Sequence, residues 1–204
     1  MRLEIATTHG PGHVELDRPR GASSALLVLT HGAGGGVETA DLLAIRGAAV
    51  QAAVAVARVV QPYRVAGRRS PAAPGRQDEC WLELVAAIRR RRGFGALPLI
   101  VGGRSNGARV SCRTAVASGG SGAVALAFPL HPPGKPGLSR FAELDAAGVP
   151  TLVVQGDRDP FGMPPAGDAR EIVVIPGGDH SLKRDPRAVA SAVLAFVNRV
   201  VDGS

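Results

Sequence analysis

The sequence is poor in aromatic residues, lysine and cysteine, and it contains no long apolar run. Aromatics make up 3% of the 204 residues, with one Trp and one Tyr. That is too few for the stacking platforms on which single-stranded nucleic acids are bound. Only two of the 24 basic residues are lysine. The formal charge of +7 therefore reflects a general preference for Arg, alongside Ala, Gly and Pro, rather than a nucleic-acid face. The run Arg89-Arg90-Arg91-Arg92 falls at the end of a predicted helix, where cations offset the helix dipole. No nucleic-acid partner is expected. The two cysteines, Cys80 and Cys112, lack metal-ligand spacing and fall in predicted helices, so they read as reduced, packed thiols. No apolar stretch reaches membrane-spanning length, and MRLEIATTHG lacks the basic-then-apolar layout of a signal peptide. The expectation is a cytoplasmic protein with no membrane partner.

What is present is a chain 45% apolar and 20% charged, which excludes wholesale disorder. Its length fits one domain spanning residues 1–204. Two short alternating runs around His9-Gly10-Pro11-Gly12, within residues 2–18, predict an antiparallel edge hairpin. Continuous apolar runs at 25–30, 123–128 and 150–156 read as strands buried on both faces. Further strands are read at 52–61, 97–102 and 171–176. Between them lie helical patterns at 39–50, with Thr39 as N-cap, and at 77–92, with Cys80, Trp81, Leu84, Val85 and Ile88 at helical spacing. Shorter ones begin at 106 and 139. The segment 64–76 reads as an exposed, irregular insertion. A last helix opens on Asp185 and Pro186 and carries Val189, Val193, Phe196, Val197 and Val200 on one face. Strands alternating with helices predict an α/β fold, a mainly parallel central sheet with helices on both faces. No insertion is long enough for a large cap domain.

Gly103-Arg104-Ser105-Asn106-Gly107 fits G-x-S-x-G between the strand at 97–102 and the helix at 106. A serine on such a strand-to-helix turn stands exposed above the sheet edge, and the flanking glycines let the two backbones pass closely. The NH of the next residue, Asn106, lies at a helix N-terminus and is placed to meet a developing oxyanion. The glycine-rich loop His31 to Gly36 satisfies neither phosphate-binding glycine pattern, and no P-loop lysine follows. The fold built on a serine elbow puts the other half of the oxyanion hole in this loop, where Ala33 supplies the NH. A serine nucleophile needs a base, and histidine suits that role. Of five histidines, only His180 follows the last strand, so chain order selects it. Asp157 and Asp159 both lie on the loop after the strand at 150–156, and either serves as the acid that orients the imidazole. His31 is expected to brace its own loop and His131 to line the pocket. Arg104 and Arg158 adjoin the catalytic residues and would favour an anionic substrate. Neither a metal nor an organic cofactor is indicated.

Six segments carry a family resemblance: THGAGGG (30–36), VVQPYRVAGRRSP (59–71), GGRSNGAR (102–109), FPLHPPGKP (128–136), QGDRDPFG (155–162) and GGDHSL (177–182). The chain resembles small α/β-hydrolases. More narrowly, it is similar to the lidless group that includes dienelactone-hydrolase-like proteins and the testis-expressed-protein-thirty and NSL-complex-subunit-three type. The resemblance implies the α/β-hydrolase fold, Ser105 as nucleophile, His180 as base, and Asn106 and Ala33 as oxyanion donors. It also selects Asp159 as the acid, through Gly156-Asp157-Arg158-Asp159. Dienelactone hydrolases proper use cysteine where this chain has Ser105. The implied activity is that of a serine hydrolase, carboxylesterase-like, cleaving a small ester or thioester through an acyl-enzyme; its partner is a small-molecule acyl substrate. The alternative is a non-catalytic binding or scaffold protein, since eukaryotic relatives are known better as parts of assemblies. Oligomeric state is not readable.

Overall fold

The computed structural model describes residues 1–203. The strands are β1 (Arg2–Ile5), β2 (Gly12–Asp17), β3 (Ala25–Thr30), β4 (Val54–Val60), β5 (Leu99–Arg104), β6 (Gly122–Leu126), β7 (Thr151–Gly156) and β8 (Arg170–Ile175). They form one sheet in the order β1-β2-β4-β3-β5-β6-β7-β8. The N-terminal hairpin adds antiparallel to one edge, and every pairing from β4 onward is parallel.

The central strands are apolar throughout because each of their faces is covered. In β3, Leu26 and Val28 enter one core while Leu27 and Leu29 enter the other, as the two-residue period of a strand requires. Helices α1 (Ala40–Gln51) and α6 (Pro186–Asp202) pack together over one face. Helices α3 (Pro74–Arg89), α4 (Asn106–Thr114) and α5 (Phe141–Asp145) cover the other. The start of α6 follows from its capping residues: Asp185 Oδ1 accepts from the Ala188 NH at 2.9 Å, and Pro186 occupies a first-turn position where a missing NH costs nothing. Val189, Val193, Phe196 and Val197 are buried, each contributing about 1.5–3 kcal/mol of transfer free energy. Trp81 is fully buried, and both cysteines are buried and unpaired. Burial pushes the Cys112 thiol up to about 12.

Three local expectations are corrected. Thr39 stands at the N-cap of α1 with extended backbone, but its hydroxyl makes no capping bond. Helix α3 begins at Pro74 rather than Gln77, because proline suits the first turn and the first turn is polar, which apolar spacing cannot register. One helical turn, α2 (Pro62–Val65), with Pro62 and Tyr63 buried, runs into the start of the segment read as irregular and takes up its Arg64 and Val65. Among the described residues the longest stretches without helix or strand are 127–140 and 157–169, and no cap domain rises above the sheet. Among the described residues no helix is long and apolar enough to cross a membrane. The parallel strands β3, β5, β7 and β8 all end on one edge of the sheet, where α/β folds bind their ligands.

Candidate active site

Strand β5 delivers Ser105 to that edge in a strained conformation, φ 54° and ψ −111°, which a non-glycine residue keeps only when its surroundings enforce it. The Ser105 NH donates to the Leu126 carbonyl at 2.8 Å, and its own carbonyl accepts from Arg109 at 3.2 Å. A Cβ on Gly103 would lie 2.7 Å from the Gly107 carbonyl carbon. One on Gly107 would lie 2.8 Å from the carbonyl oxygens of both Thr30 and His31. The glycines two before and two after the serine are therefore demanded by backbone crossing.

The loops after β7 and β8 close onto the serine. Gly156 packs so tightly on the Gly178 backbone that any Cβ would collide with it, and the Arg158 NH donates to the Gly178 carbonyl at 2.9 Å. This contact holds the two loops side by side. His180 Nδ1 donates to Asp159 Oδ2 at 2.8 Å, and its Nε2 accepts from Ser105 Oγ at 2.9 Å. Asp157 and Arg158 are exposed, so of the two candidate acids Asp159 is the one that reaches the imidazole. The Asp159 side chain is fully buried. Its oxygens also accept from Gln155 Nε2 at 3.0 Å and the Phe161 NH at 2.9 Å. The Phe161 ring meets His180 edge-on, with centroids 4.4 Å apart.

The loop after β3 passes over the nucleophile, so close that a Cβ on Gly32 would lie 3.4 Å from Ser105 Cβ. Among the described residues the NH groups of Ala33 and Asn106 have no protein acceptor. Both stay available to an oxygen bound at the serine, and Asn106 adds the positive end of the α4 dipole. The loop is fixed from behind: Tyr63 Oη donates to the Ala33 carbonyl at 2.9 Å and Arg64 Nε to that of Gly35 at 3.0 Å. Asn106 Nδ2 donates to Gln77 Oε1 at 2.7 Å.

His31 braces the same loop. Its Nδ1 donates to the Gly32 carbonyl at 2.8 Å and its Nε2 accepts from the Gln61 NH at 3.0 Å, which fixes the neutral imidazole. Burial pushes its pKa down from 6.5 to about 4. Between those values the unfolded chain binds a proton that the fold refuses, so stability falls as pH drops from about 6.5 to about 4. The loss totals about 3 kcal/mol, and this group adds none below that window. Urea denaturation from pH 7 to 4 should show this component in the wild type and not in His31→Gln. Equal slopes in the two proteins would contradict it.

Two expectations about substrate contacts are corrected. Arg104 does not face the cavity at Ser105: its Nε lies 3.1 Å from Asp41 Oδ2, and its Nη2 donates to the His180 carbonyl. It braces the base toward α1 instead. His131 does not line the cavity either. It stands behind Phe161, with ring centroids 6.3 Å apart, and donates from Nδ1 to the Pro132 carbonyl. The cavity at the serine holds about 190 Å³ and is lined by Ser105, Asn106, Arg109, Arg140, Phe161 and His180, with Pro129 and Pro133 completing the wall. Sequence reasoning missed Gln155, Gln77, Asp41, Phe161, Arg109 and Arg140. Only Gln155 carried a signal, as a polar residue inside the apolar run of β7.

A family model described as an alpha/beta hydrolase domain matches residues 23–198. A comparison with curated protein sequences finds no match. Among solved structures, Est1E from Butyrivibrio proteoclasticus is 18% identical with a TM-score of 0.80, covering 98% of this chain and 99% of that one. A second structure of Est1E has ferulic acid bound. XC6422 from Xanthomonas campestris, described as an α/β serine hydrolase without a lid, is 20% identical with a TM-score of 0.74, covering 98% and 94%. Dienelactone hydrolase from Anabaena variabilis is 16% identical with a TM-score of 0.73, covering 96% and 94%. At these identities the likeness is one of fold, and the match of the family model across most of the chain is what assigns it: the chain belongs to the alpha/beta hydrolase domain family.

Proposed function

We propose that the protein is a serine hydrolase that cleaves small esters or thioesters through an acyl-enzyme. The observation that carries this reading is the unbroken hydrogen-bond line from Ser105 Oγ through His180 to the buried Asp159, beside two NH groups with no acceptor. Ser105 Oγ attacks the acyl carbon while His180 Nε2 takes its proton. Asp159 holds the Nδ1–H tautomer and stabilises the imidazolium. The NH groups of Ala33 and Asn106 bind the oxyanion. Collapse expels the alcohol or thiol, which recovers the proton from His180. Water, deprotonated by His180, then releases the acid.

The serine hydrolase among the structural neighbours supports this reading at the level of reaction class. Nothing in a purely scaffolding role requires a base aligned on a strained serine. The narrower likeness to the testis-expressed-protein-thirty type is part of the same proposal and rests on the six segments quoted above. The cavity of about 190 Å³ is smaller than the roughly 300–1,000 Å³ of sites for drug-sized ligands, so the acyl group is short. Hydrolysis of p-nitrophenyl acetate and butyrate should exceed that of the decanoate in kcat/KM. A preference for the decanoate, or no turnover of any of the three, would count against it.

A further inference from the structure

Around the cavity at Ser105, charge is compensated unevenly. Arg109 donates from Nε and Nη2 to Glu143 at 2.7 and 2.6 Å. Arg113 pairs with Asp78 at 2.6 Å and also with Glu143 at 2.8 Å. Two carboxylates thus serve these two guanidiniums. Arg140 is the third arginine of the group, and among the described residues it has no acid partner; its Nη1 only grazes the His131 carbonyl at 3.5 Å. The Arg140 backbone NH is fixed to the Leu130 carbonyl at 2.7 Å, which holds the half-buried side chain in the cavity wall beside Ser105. Burial, and then the neighbouring Arg109 charge, pull the Arg140 guanidinium below its ordinary range, against the opposing charge of Glu143. An arginine remains charged there. It therefore has no ion-pair partner of its own, Glu143 being already shared by Arg109 and Arg113, in a partly desolvated wall where an anion is worth more than in water.

We infer that Arg140 forms the anion-binding end of the acyl site, and that the substrate is a short ester carrying a free carboxylate. This rests on the hydrolase reading above. One uncompensated positive charge suits a carboxylate monoanion, whose two oxygens match the guanidinium fork. The small cavity limits the chain between carboxylate and ester to a few carbons, and Pro129, Pro133 and Phe161 provide its apolar wall. The overall step consumes one water, breaks the ester C–O bond, and yields a dicarboxylate, an alcohol and a proton.

The test compares kcat/KM for monomethyl succinate and methyl butyrate, followed in a pH-stat at low ionic strength, with direct calorimetric titration of succinate. Wild type should prefer the charged ester. Arg140→Gln should lower the ratio of the two kcat/KM values by about ten- to hundredfold, the range for a charge-assisted bond, and should abolish succinate binding. Arg140→Lys keeps the charge without the fork and should restore part of the preference; it carries the test if the glutamine variant does not fold. Cleavage of methyl butyrate with no preference for the charged ester, or with a ratio that Arg140→Gln leaves unmoved, overturns this inference alone. Succinate binding that depends on Arg140, with neither ester cleaved, keeps the anion site and removes the hydrolase reading. Absence of both cleavage and binding removes both.

Discussion

Ser105→Ala is expected to cost about six orders of magnitude in kcat on a short ester, and Asp159→Asn about four. The ranking comes from what each group does in the proposed mechanism. Without Ser105 Oγ no acyl-enzyme forms, and only binding and the two NH groups still act on the carbonyl. In Asp159→Asn the amide can present NH where the carboxylate accepted, which favours the wrong imidazole tautomer. The variant is informative because the Asp159 site is crowded with donors: Gln155 Nε2, the Phe161 NH and His180 Nδ1 all point at its oxygens. His180→Ala should match Ser105→Ala, and the double variant should be no worse than either single one, because the pair acts as a unit. Steady-state kinetics on p-nitrophenyl acetate measures all four proteins. Additive losses, or an Asp159→Asn enzyme within tenfold of wild type, would contradict the assignment.

Arg104→Met is expected to destabilise the fold by about 3–5 kcal/mol, the range for removing one member of a buried ion pair. Asp41 is fully buried, Arg104 is 16% exposed, and their charged atoms lie 3.1 Å apart. Truncating the guanidinium leaves the Asp41 carboxylate in the interior, with only the Leu42 NH on its other oxygen at 2.9 Å. The double variant Arg104→Met with Asp41→Asn should recover much of that loss, since no uncompensated charge remains. Chemical denaturation of the two single variants and the double variant measures the coupling. Because Arg104 also holds the His180 carbonyl, both Arg104 variants should turn over more slowly than wild type at a pH where all are folded. A single variant within 1 kcal/mol of wild type would mean that the pair is not the brace described.

Most of the fold was legible in the sequence because a parallel sheet covered on both faces writes itself as apolar runs. The elbow was legible because two crossing backbones leave room only for glycine at 103 and 107. His180 could be picked from five histidines because strand order puts it at the correct edge. The acid was less accessible: Asp157 and Asp159 stand two residues apart on one loop, and a turn rather than a periodic element decides that only one is buried. The arginines were least legible. Arg104 adjoins Ser105, yet alternation along β5 sends its side chain to the α1 face. Arg140 sits in the long segment between β6 and α5, and only folding brings it to the serine. Gln77 and Asp41 are polar residues in helices whose apolar spacing says nothing about what a buried polar group meets.

Whether Ser105 is an activated nucleophile is read out by intact-protein mass spectrometry after treatment with a fluorophosphonate. One adduct per wild-type chain is expected, with no adduct in Ser105→Ala and slowed labelling in His180→Ala. Folded wild-type protein that takes up no reagent, or an adduct that persists in Ser105→Ala, would contradict it.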